Sequence, residues 1–139
     1  MTKALLQKIR DWLGLSPTQT CPKGVHVRFA LTYDHTTIGY LEASDGEWIF
    51  RYSDEFKRQQ KLRPITEFRD VEKVYRSKEL WPFFLLRIPS PKQADVRAII
   101  DREKIDTTDD VKLLSRFGRR AVFTPFELTV ESEELVGSP

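Results

Sequence analysis

The apolar segment Glu79–Pro89, called the apolar run below, constrains the fold of this chain more than any other stretch. It is too short to span a bilayer, which requires about 20 apolar residues. Its side chains must therefore be buried inside the protein, where each large one contributes roughly 1.5–3 kcal/mol. Pro82 suits the first position of a helix, and Pro89 prevents a helix from continuing. The run predicts a short helical turn, Pro82–Leu86, around which the other elements pack.

Composition limits the protein to one globular domain with a tail at most. The chain has 139 residues, 40% of them hydrophobic, and a net charge of only +2. A chain of this size can bury a core, and so small a charge gives no general signal for nucleic acid. Cys21 is the only cysteine, which favours a reducing compartment. Because Lys8, Arg10 and Asp11 interrupt the first apolar segment, no secretory signal is predicted, and we expect a cytoplasmic protein.

The N-terminal segment 1–24 is predicted to be an amphipathic helix, Thr2–Leu15, followed by a linker. Its apolar stripe has the i, i+4, i+7, i+8 spacing of one helix face and consists of Leu5, Ile9, Trp12 and Leu13. The helix either packs on its own domain or docks on a partner. A membrane-surface role is the least favoured, because its basic face is thin.

From Val25 the hydrophobic period changes to two, which is typical of half-buried strands. The pattern predicts three strands that begin at Val25, Thr37 and Glu47 and end at Leu31, Ala43 and Tyr52. The connections are short, and Ser44-Asp45-Gly46 is a strong hairpin signal. Three such strands form an antiparallel meander, and one face of that sheet needs cover from the apolar run and the helices.

The segment Ser53–Lys78 is polar and basic, and it is predicted to be an ordered loop with weak strand or turn structure near Arg63–Phe68. Between positions 51 and 78 the sequence contains nine Lys and Arg residues and five Asp and Glu residues. One interpretation is an electropositive patch for an acidic partner or nucleic acid. The other is an ordinary solvated surface. The candidate patch residues are Lys57, Arg58, Lys61 and Arg63.

The C-terminal part predicts two helices, an edge strand and a tail. The first helix starts at Ser90-Pro91 and ends near Arg102, and the second is capped by Thr107 or Thr108 and ends at Gly118. Ala121–Val130 is strand-like around Pro125, which suits an edge. The expected fold is α+β: a small antiparallel sheet, made of the meander and this strand, covered by short helices. The domain spans 25–130, and 131–139 form an acidic flexible tail.

Motifs that carry catalytic chemistry are missing from the sequence. It has no spaced cluster of metal ligands, no glycine-rich phosphate loop and no nucleophile or kinase catalytic-loop motif. His26 and His35 fall in a strand and a turn. Asp109-Asp110 lies in a first helical turn, where capping explains it better than catalysis. We therefore predict no enzyme, no catalytic residue, no metal and no cofactor, and an unrecognised small enzyme ranks last among the alternatives.

Four short motifs nevertheless occur in order, and together they resemble the N-terminal domain of HipA-type serine/threonine kinases. The family pattern has a Gly-x-Leu strand, a Phe-x-Tyr strand, a Pro-Phe-Phe segment ending in Leu-Pro, and a helix ending in a Gly-Arg turn. The resemblance extends from about Val25 to Leu128, and one departure is Ser90-Pro91, where the kinases have Glu-Gly. The matching residues are Ile38-Gly39-Tyr40-Leu41, Phe50-Arg51-Tyr52, Pro82-Phe83-Phe84 with Ile88-Pro89, and Leu113-Leu114 with Phe117-Gly118-Arg119.

This resemblance implies a domain that does no chemistry, packs on the N-terminal lobe of the kinase and lies near the partner antitoxin. In split toxin–antitoxin systems of the HipBST type, a similar stand-alone domain, HipS, is a separate antitoxin against a shortened kinase. We expect a chain without kinase lobes that binds and restrains a HipA-type kinase, the toxin. A helix-turn-helix repressor is a candidate third member of the complex.

The expected partner-binding residues come from the apolar run and the N-terminal helix. Trp81 is either a surface anchor or wholly core, because three neighbouring aromatics in a helical turn cannot all face one way. The alternative function is a general interaction module in a DNA-associated complex that uses the basic segment, and a similar module precedes HIRAN domains in some bacterial proteins. Nucleic-acid binding is expected to be weak at most. The candidate contacts are Trp81, Pro82, Phe83, Arg87, Trp12 and Ile9.

Overall fold

The computed structural model describes residues 24–135, so the predicted N-terminal helix and residues 136–139 lie outside it. The described part is an α+β fold with a five-stranded antiparallel sheet, which confirms the predicted fold class. The strand order is β4-β3-β2-β1-β5. In chain order the elements are β1 (Val25–Tyr33), β2 (Thr36–Ser44), β3 (Glu47–Tyr52), α1 (Asp54–Arg58), β4 (Tyr75–Ser77), α2 (Pro82–Leu85), α3 (Ala94–Glu103), α4 (Asp110–Phe117) and β5 (Glu127–Leu135).

The predicted meander is present, and its two hairpin turns explain its register. Each turn has two central residues with positive φ, Asp34 and His35 in the first, Asp45 and Gly46 in the second. This two-residue geometry matches the right-handed twist of the flanking strands. The Asp45 carboxylate also accepts a hydrogen bond from the Gly24 N–H at 2.9 Å, which fixes the chain where it enters β1.

The sheet and the helices share one hydrophobic core, and the apolar run is part of it, as predicted. The Phe50 side chain of β3 is fully buried and contacts Phe84 of α2, with ring centroids 5.7 Å apart. Leu85 and Ile88 are equally inaccessible. The run therefore covers the sheet directly, and α2 is the predicted helical turn, with Pro82 at its start.

The basic segment holds two elements that the sequence did not predict. Ser53 caps α1 by accepting a hydrogen bond from the Phe56 N–H at 3.0 Å, and Phe56 stacks on Tyr52 with ring centroids 4.6 Å apart. Farther along, β4 pairs with β3, with Ser77 opposite Trp48. Both elements are short and depend on contacts with β3, so their local sequence patterns are weak.

The helix starts differ from the predictions. α3 begins at Ala94, because Ser90 forms a turn whose side chain accepts from the Lys92 N–H at 3.2 Å. α4 is capped by Asp109, which accepts from the Lys112 N–H at 3.1 Å, so Thr107 and Thr108 are not the cap. The predicted end of α4 at Gly118 is confirmed.

The last strand is an edge strand, as predicted, but the predicted bounds of this strand were wrong. It spans Glu127–Leu135, whereas 121–130 had been expected. Residues 121–126 form a tight turn closed by a bridge between Ala121 and Thr124. The strand extends into the segment assigned to the tail because β1 offers it partners along its whole length, from Thr32 to Val25.

At Gly39, in the Gly-x-Leu motif, neighbouring atoms leave no room for a side chain, whereas the backbone conformation would allow one. A Cβ atom at this position would lie 2.5 Å from the Arg51 carbonyl oxygen and 2.9 Å from the Phe50 ring. Both neighbours belong to the buried sheet, where they have little freedom to move. The glycine therefore lets the Phe50 ring cover β2.

We predict that Gly39→Ala lowers the free energy of unfolding by about 1–3 kcal/mol, because the new methyl group overpacks the sheet. Urea denaturation of the purified variant measures this change. Thr36→Ala, at the start of the same strand, is the matched control and should change stability by less than about 0.5 kcal/mol. Equal unfolding midpoints for Gly39→Ala and the parent protein would contradict the steric account.

Candidate partner-binding surface

A groove of about 380 Å³, called the groove below, opens on the surface of the described domain. Three chain segments form its walls: residues 63–67, α2 with the residue after it, and the turn 121–126. Two of its side chains, Leu86 and Phe123, are exposed. The lining consists of Arg63, Pro64, Ile65, Thr66, Glu67, Phe83, Leu86, Phe123, Thr124 and Phe126.

Helical geometry in α2 divides the apolar run between the core and the groove. Phe84 and Leu85 are fully buried, whereas Phe83 and Leu86 lie three positions apart and line the groove together. Proline at the first helical position fixes where this turn begins and so fixes which residues face outward. The groove wall thus follows from the same short helix that fills the core.

The buried guanidinium of Arg87 holds the turn against α2. One Nη donates to the carbonyl oxygens of Gly118 and Arg119 at 3.1 and 3.4 Å, and the other donates to that of Phe126 at 3.1 Å. The side chain is only 3% exposed, and burial lowers the pKa of Arg87 to about 10. Arg87 therefore keeps its charge at neutral pH and satisfies carbonyls at both ends of the turn.

The tip of this turn carries two apolar residues into solvent. Val122 is fully exposed, and Phe123 is about half exposed. The Phe123 ring packs edge-on against Phe83 with centroids 6.1 Å apart, so the tip leans on α2. Exposed apolar groups that a rigid backbone presents together are typical of protein interfaces.

The third wall, residues 63–67, is held by the hydroxyl of Tyr52. That hydroxyl accepts from the Ile65 N–H at 2.9 Å and donates to the Phe68 carbonyl oxygen at 2.6 Å. Burial raises the pKa of Tyr52 to about 12, so the phenol stays protonated and keeps both bonds. A side chain of β3 thereby fixes an irregular segment that lacks regular secondary structure of its own.

Glu67 gives the groove its carboxylate. Burial raises the pKa of Glu67 above its usual value, and a hydrogen bond from the Phe83 N–H acts in the opposite direction. Its Oε2 atom is buried without a hydrogen-bond partner among the residues that the structure describes. Arg63, which lines the same groove, is exposed.

The structure separates the expected partner-binding residues into different environments. Phe83 lines the groove, and Trp81 is partly buried with its ring edge-on to Phe68, 5.1 Å between centroids. Pro82 and Arg87 are buried, so neither side chain lies on the accessible surface of the described domain. Trp12 and Ile9 lie outside the described residues.

The candidate basic residues do not converge on the groove. Lys57 lies 3.7 Å from the Glu72 carboxylate. Arg58 and Lys61 line two other surface depressions, and Arg63 alone reaches the groove. The four basic side chains are therefore dispersed over the surface, and the charge of Lys57 is partly neutralised by Glu72.

Sequence analysis missed Leu86, Val122 and Phe123 as candidate surface residues. The prediction assigned Leu86 to the buried helical turn and the other two to a strand. A local signal exists for the turn, because Val122 and Phe123 stand between Gly118-Arg119-Arg120 and Thr124-Pro125, where charged and turn-forming residues interrupt a strand pattern.

Within residues 24–135, no three or more His, Cys, Asp or Glu side chains group closely enough to hold a metal ion. Likewise, none of the helices described there has the length and apolar character needed to cross a bilayer.

Comparison with known proteins identifies the domain type. A sequence model of the HipA N-terminal domain matches residues 30–122, which is more than half of the chain. The match includes two groove walls, residues 63–67 and α2, and ends just before Phe123. No curated protein matches the chain.

We predict that Arg87→Met lowers the free energy of unfolding by about 3 kcal/mol, because three carbonyl oxygens lose a charged donor. Arg97→Met is the matched control, since the exposed Arg97 forms a surface ion pair with Asp101 at 3.2 Å, and it should cost less than about 1 kcal/mol. Chemical denaturation of both variants tests this. Similar stabilities for the two variants would show that the Arg87 bonds do not hold the turn.

We also predict that Tyr52→Phe lowers stability by about 1–3 kcal/mol at neutral pH, because the Ile65 N–H and the Phe68 carbonyl lose a buried partner. The loss should shrink between about pH 10 and pH 12. In that window the unfolded parent releases the Tyr52 proton while the folded parent retains it, so the parent loses stability that the phenylalanine variant cannot lose. Denaturation series at pH 8 and pH 11 measure both effects, and a pH-independent difference would contradict this assignment.

Proposed function

Because this chain belongs to the HipA N-terminal domain family, we propose that it is a non-catalytic protein that docks on a HipA-type serine/threonine kinase and restrains it. In this role it is the antitoxin of a split toxin–antitoxin system, with a helix-turn-helix repressor as a further member of the complex. The observation that carries the proposal is the groove with its exposed apolar rim. The rim consists of the exposed Leu86 and Phe123, the partly buried Phe83 beside them and the exposed Val122 at the tip of the turn.

The rim supports a binding role because the exposure of its apolar side chains does not stabilise the isolated domain. Leu86 and Phe123 could contribute more stability if they were fully buried, yet 42% and 48% of their surfaces remain accessible to water. Apolar side chains that flank a concave groove can anchor a complementary surface of another protein. The rim therefore supplies the apolar centre that a protein interface needs.

Rigidity of the groove supports the same function. Arg87 holds the turn and Tyr52 holds residues 63–67, so two irregular walls have little conformational freedom to lose on binding. A preformed site of this kind turns more of its contact energy into affinity. A restraining protein needs that affinity in order to hold its target in one state.

A binding role also agrees with the structural use of three polar groups whose pKa values are shifted. Tyr52 and Arg87 bond backbone groups, and Asp109 caps α4. Each performs a structural task in a different part of the domain. The family, moreover, is the N-terminal domain that accompanies the kinase rather than the catalytic domain itself.

We predict that Phe123→Ser and Leu86→Ser each weaken binding to a HipA-type kinase from the same genome by about 2 kcal/mol, or roughly 30-fold in Kd. Isothermal titration calorimetry measures the affinity, and kinase autophosphorylation with and without the chain measures restraint. Val74→Ser is the matched control, because Val74 is 47% exposed, close to the 48% of Phe123, but lies outside the groove.

Trp81→Ala is expected to affect folding stability, in contrast to the two binding variants. Because Trp81 packs on Phe68, this variant should lose folding stability by about 3 kcal/mol. A parent protein that fails to bind the kinase, or binding that depends on Val74 as much as on Phe123, would refute the proposed docking surface.

A further inference from the structure

The turn 121–126 is a fixed projection of the domain. At its base the Leu128 N–H donates to the Arg119 carbonyl oxygen at 2.9 Å, and a backbone bridge closes its tip. The buried Arg87 guanidinium adds hydrogen bonds to carbonyl oxygens on both sides of the turn. The turn therefore presents its tip in a defined position and has little conformational freedom to lose when a partner binds it.

Val122 is the outermost apolar residue of this turn. Its side chain is fully exposed, whereas the neighbouring Phe123 ring leans on Phe83 with centroids 6.1 Å apart. A flat surface would touch only the end of a side chain at the tip of a projection. A concave pocket covers such a side chain on several sides, and side chains that bind in desolvated pockets carry most of the energy of an interface. The shape of the turn therefore favours a partner that supplies a pocket.

Two arginines flank the tip and give it a positive charge. Arg119 and Arg120 are both exposed, and they share one carboxylate, that of Glu127, at 3.8 and 3.3 Å. Two cations and one anion leave one positive charge in excess beside Val122. Exposed ion pairs are weak, so both guanidinium groups can exchange partners and bind carboxylates of another protein.

We propose that Val122 enters an apolar pocket of the partner and that acidic side chains at the mouth of this pocket pair with Arg119 and Arg120. This inference deepens the proposed function and rests on it for the identity of the partner. Its argument is the complementary charge at the tip, together with the projection of an apolar side chain from a fixed turn. The inserted side chain belongs to this chain, which distinguishes the inference from a partner side chain that fills the groove.

Two other binding modes give Val122 a different role. A partner side chain that fills the groove would contact Leu86 and Phe83 and would leave Val122 at the periphery. An anionic membrane would also attract an apolar tip beside arginines, but this tip offers a bilayer little apolar area, and binding to membranes grows with that area. Both modes are therefore included as outcomes of the experiments.

The size of the side chain at position 122 is the decisive test. In the full chain, Val122→Ser should raise the Kd for a HipA-type kinase from the same genome about tenfold, as measured by calorimetry. Val122→Trp should raise the Kd at least as much, because a pocket that fits valine has no room for an indole ring. On a flat contact the larger ring would instead preserve or improve binding.

The controls for this series are a second exposed valine and the stability of the variants. Val74→Trp, outside the groove, should leave the Kd unchanged. Because Val122 is fully exposed, both variants at position 122 should unfold at the urea concentration of the parent protein, which excludes misfolding as the cause of weaker binding.

The charge assignment has its own test. The double variant Arg119→Gln/Arg120→Gln should associate with the kinase about tenfold more slowly than the parent, and its association rate should depend less on salt. Arg97→Gln removes an exposed arginine elsewhere and should change neither property. Stopped-flow measurements at low and high salt give both rates, and an unchanged rate for the double variant would overturn the acidic mouth of the pocket.

The same measurements separate this inference from the proposed function. If Phe123→Ser weakens kinase binding but Val122→Trp binds as tightly as the parent, the pocket is refuted and the docking surface stands. If the parent protein does not bind the kinase, the proposed function fails and the inference fails with it. We expect no co-sedimentation with phosphatidylglycerol vesicles, and co-sedimentation that Val122→Ser abolishes would assign the tip to a membrane and overturn the inference.

Discussion

The buried guanidinium of Arg87 is the interaction on which the surface of this domain depends. Arg87 follows α2 directly, and its hydrogen bonds reach Gly118 at the end of α4 and Phe126 at the entry to β5. Desolvation opposes a buried charge, and here three carbonyl oxygens offset that cost at the two Nη atoms, while Nε has no partner among the described residues. Three segments that are far apart in sequence are therefore held at defined positions, and the exposed tip at Phe123 takes its place from them.

Tyr52 plays the corresponding part on the opposite wall of the groove. Its ring belongs to the core, and its hydroxyl bonds the backbone on both sides of Thr66 and Glu67. Side chains from a regular strand and from the end of a regular helix thus position two irregular segments. This arrangement explains how a groove built largely from loops can have fixed walls, which is a condition for selective binding at low entropic cost.

The sequence predicted those features whose causes are local. Both hairpin turns, the helix that starts at Pro82 and the end of α4 at Gly118 follow from residues with strong backbone preferences. α1, β4 and the true extent of β5 depend on pairing with strands elsewhere, so short sequence windows contain little trace of them.

The candidate surface was predicted less well, for a related reason. The sequence predicted Arg87 as a partner contact and put Phe123 in a strand, because an arginine is usually exposed and a phenylalanine usually buried. The structure instead buries the Arg87 guanidinium, which bonds the turn 121–126, and Phe123 lies exposed on that turn. Family membership does not supply this wall either, since the family match ends at residue 122.

The fixed walls of the groove bear on how the proposed docking surface would distinguish partners. Apolar contact alone adapts to many surfaces, so Leu86 and Phe123 would provide affinity with little discrimination. Walls that hold their shape would discriminate further, because a partner that does not fit them leaves gaps or clashes. Selectivity would then depend on how firmly the Tyr52 hydroxyl fixes residues 63–67.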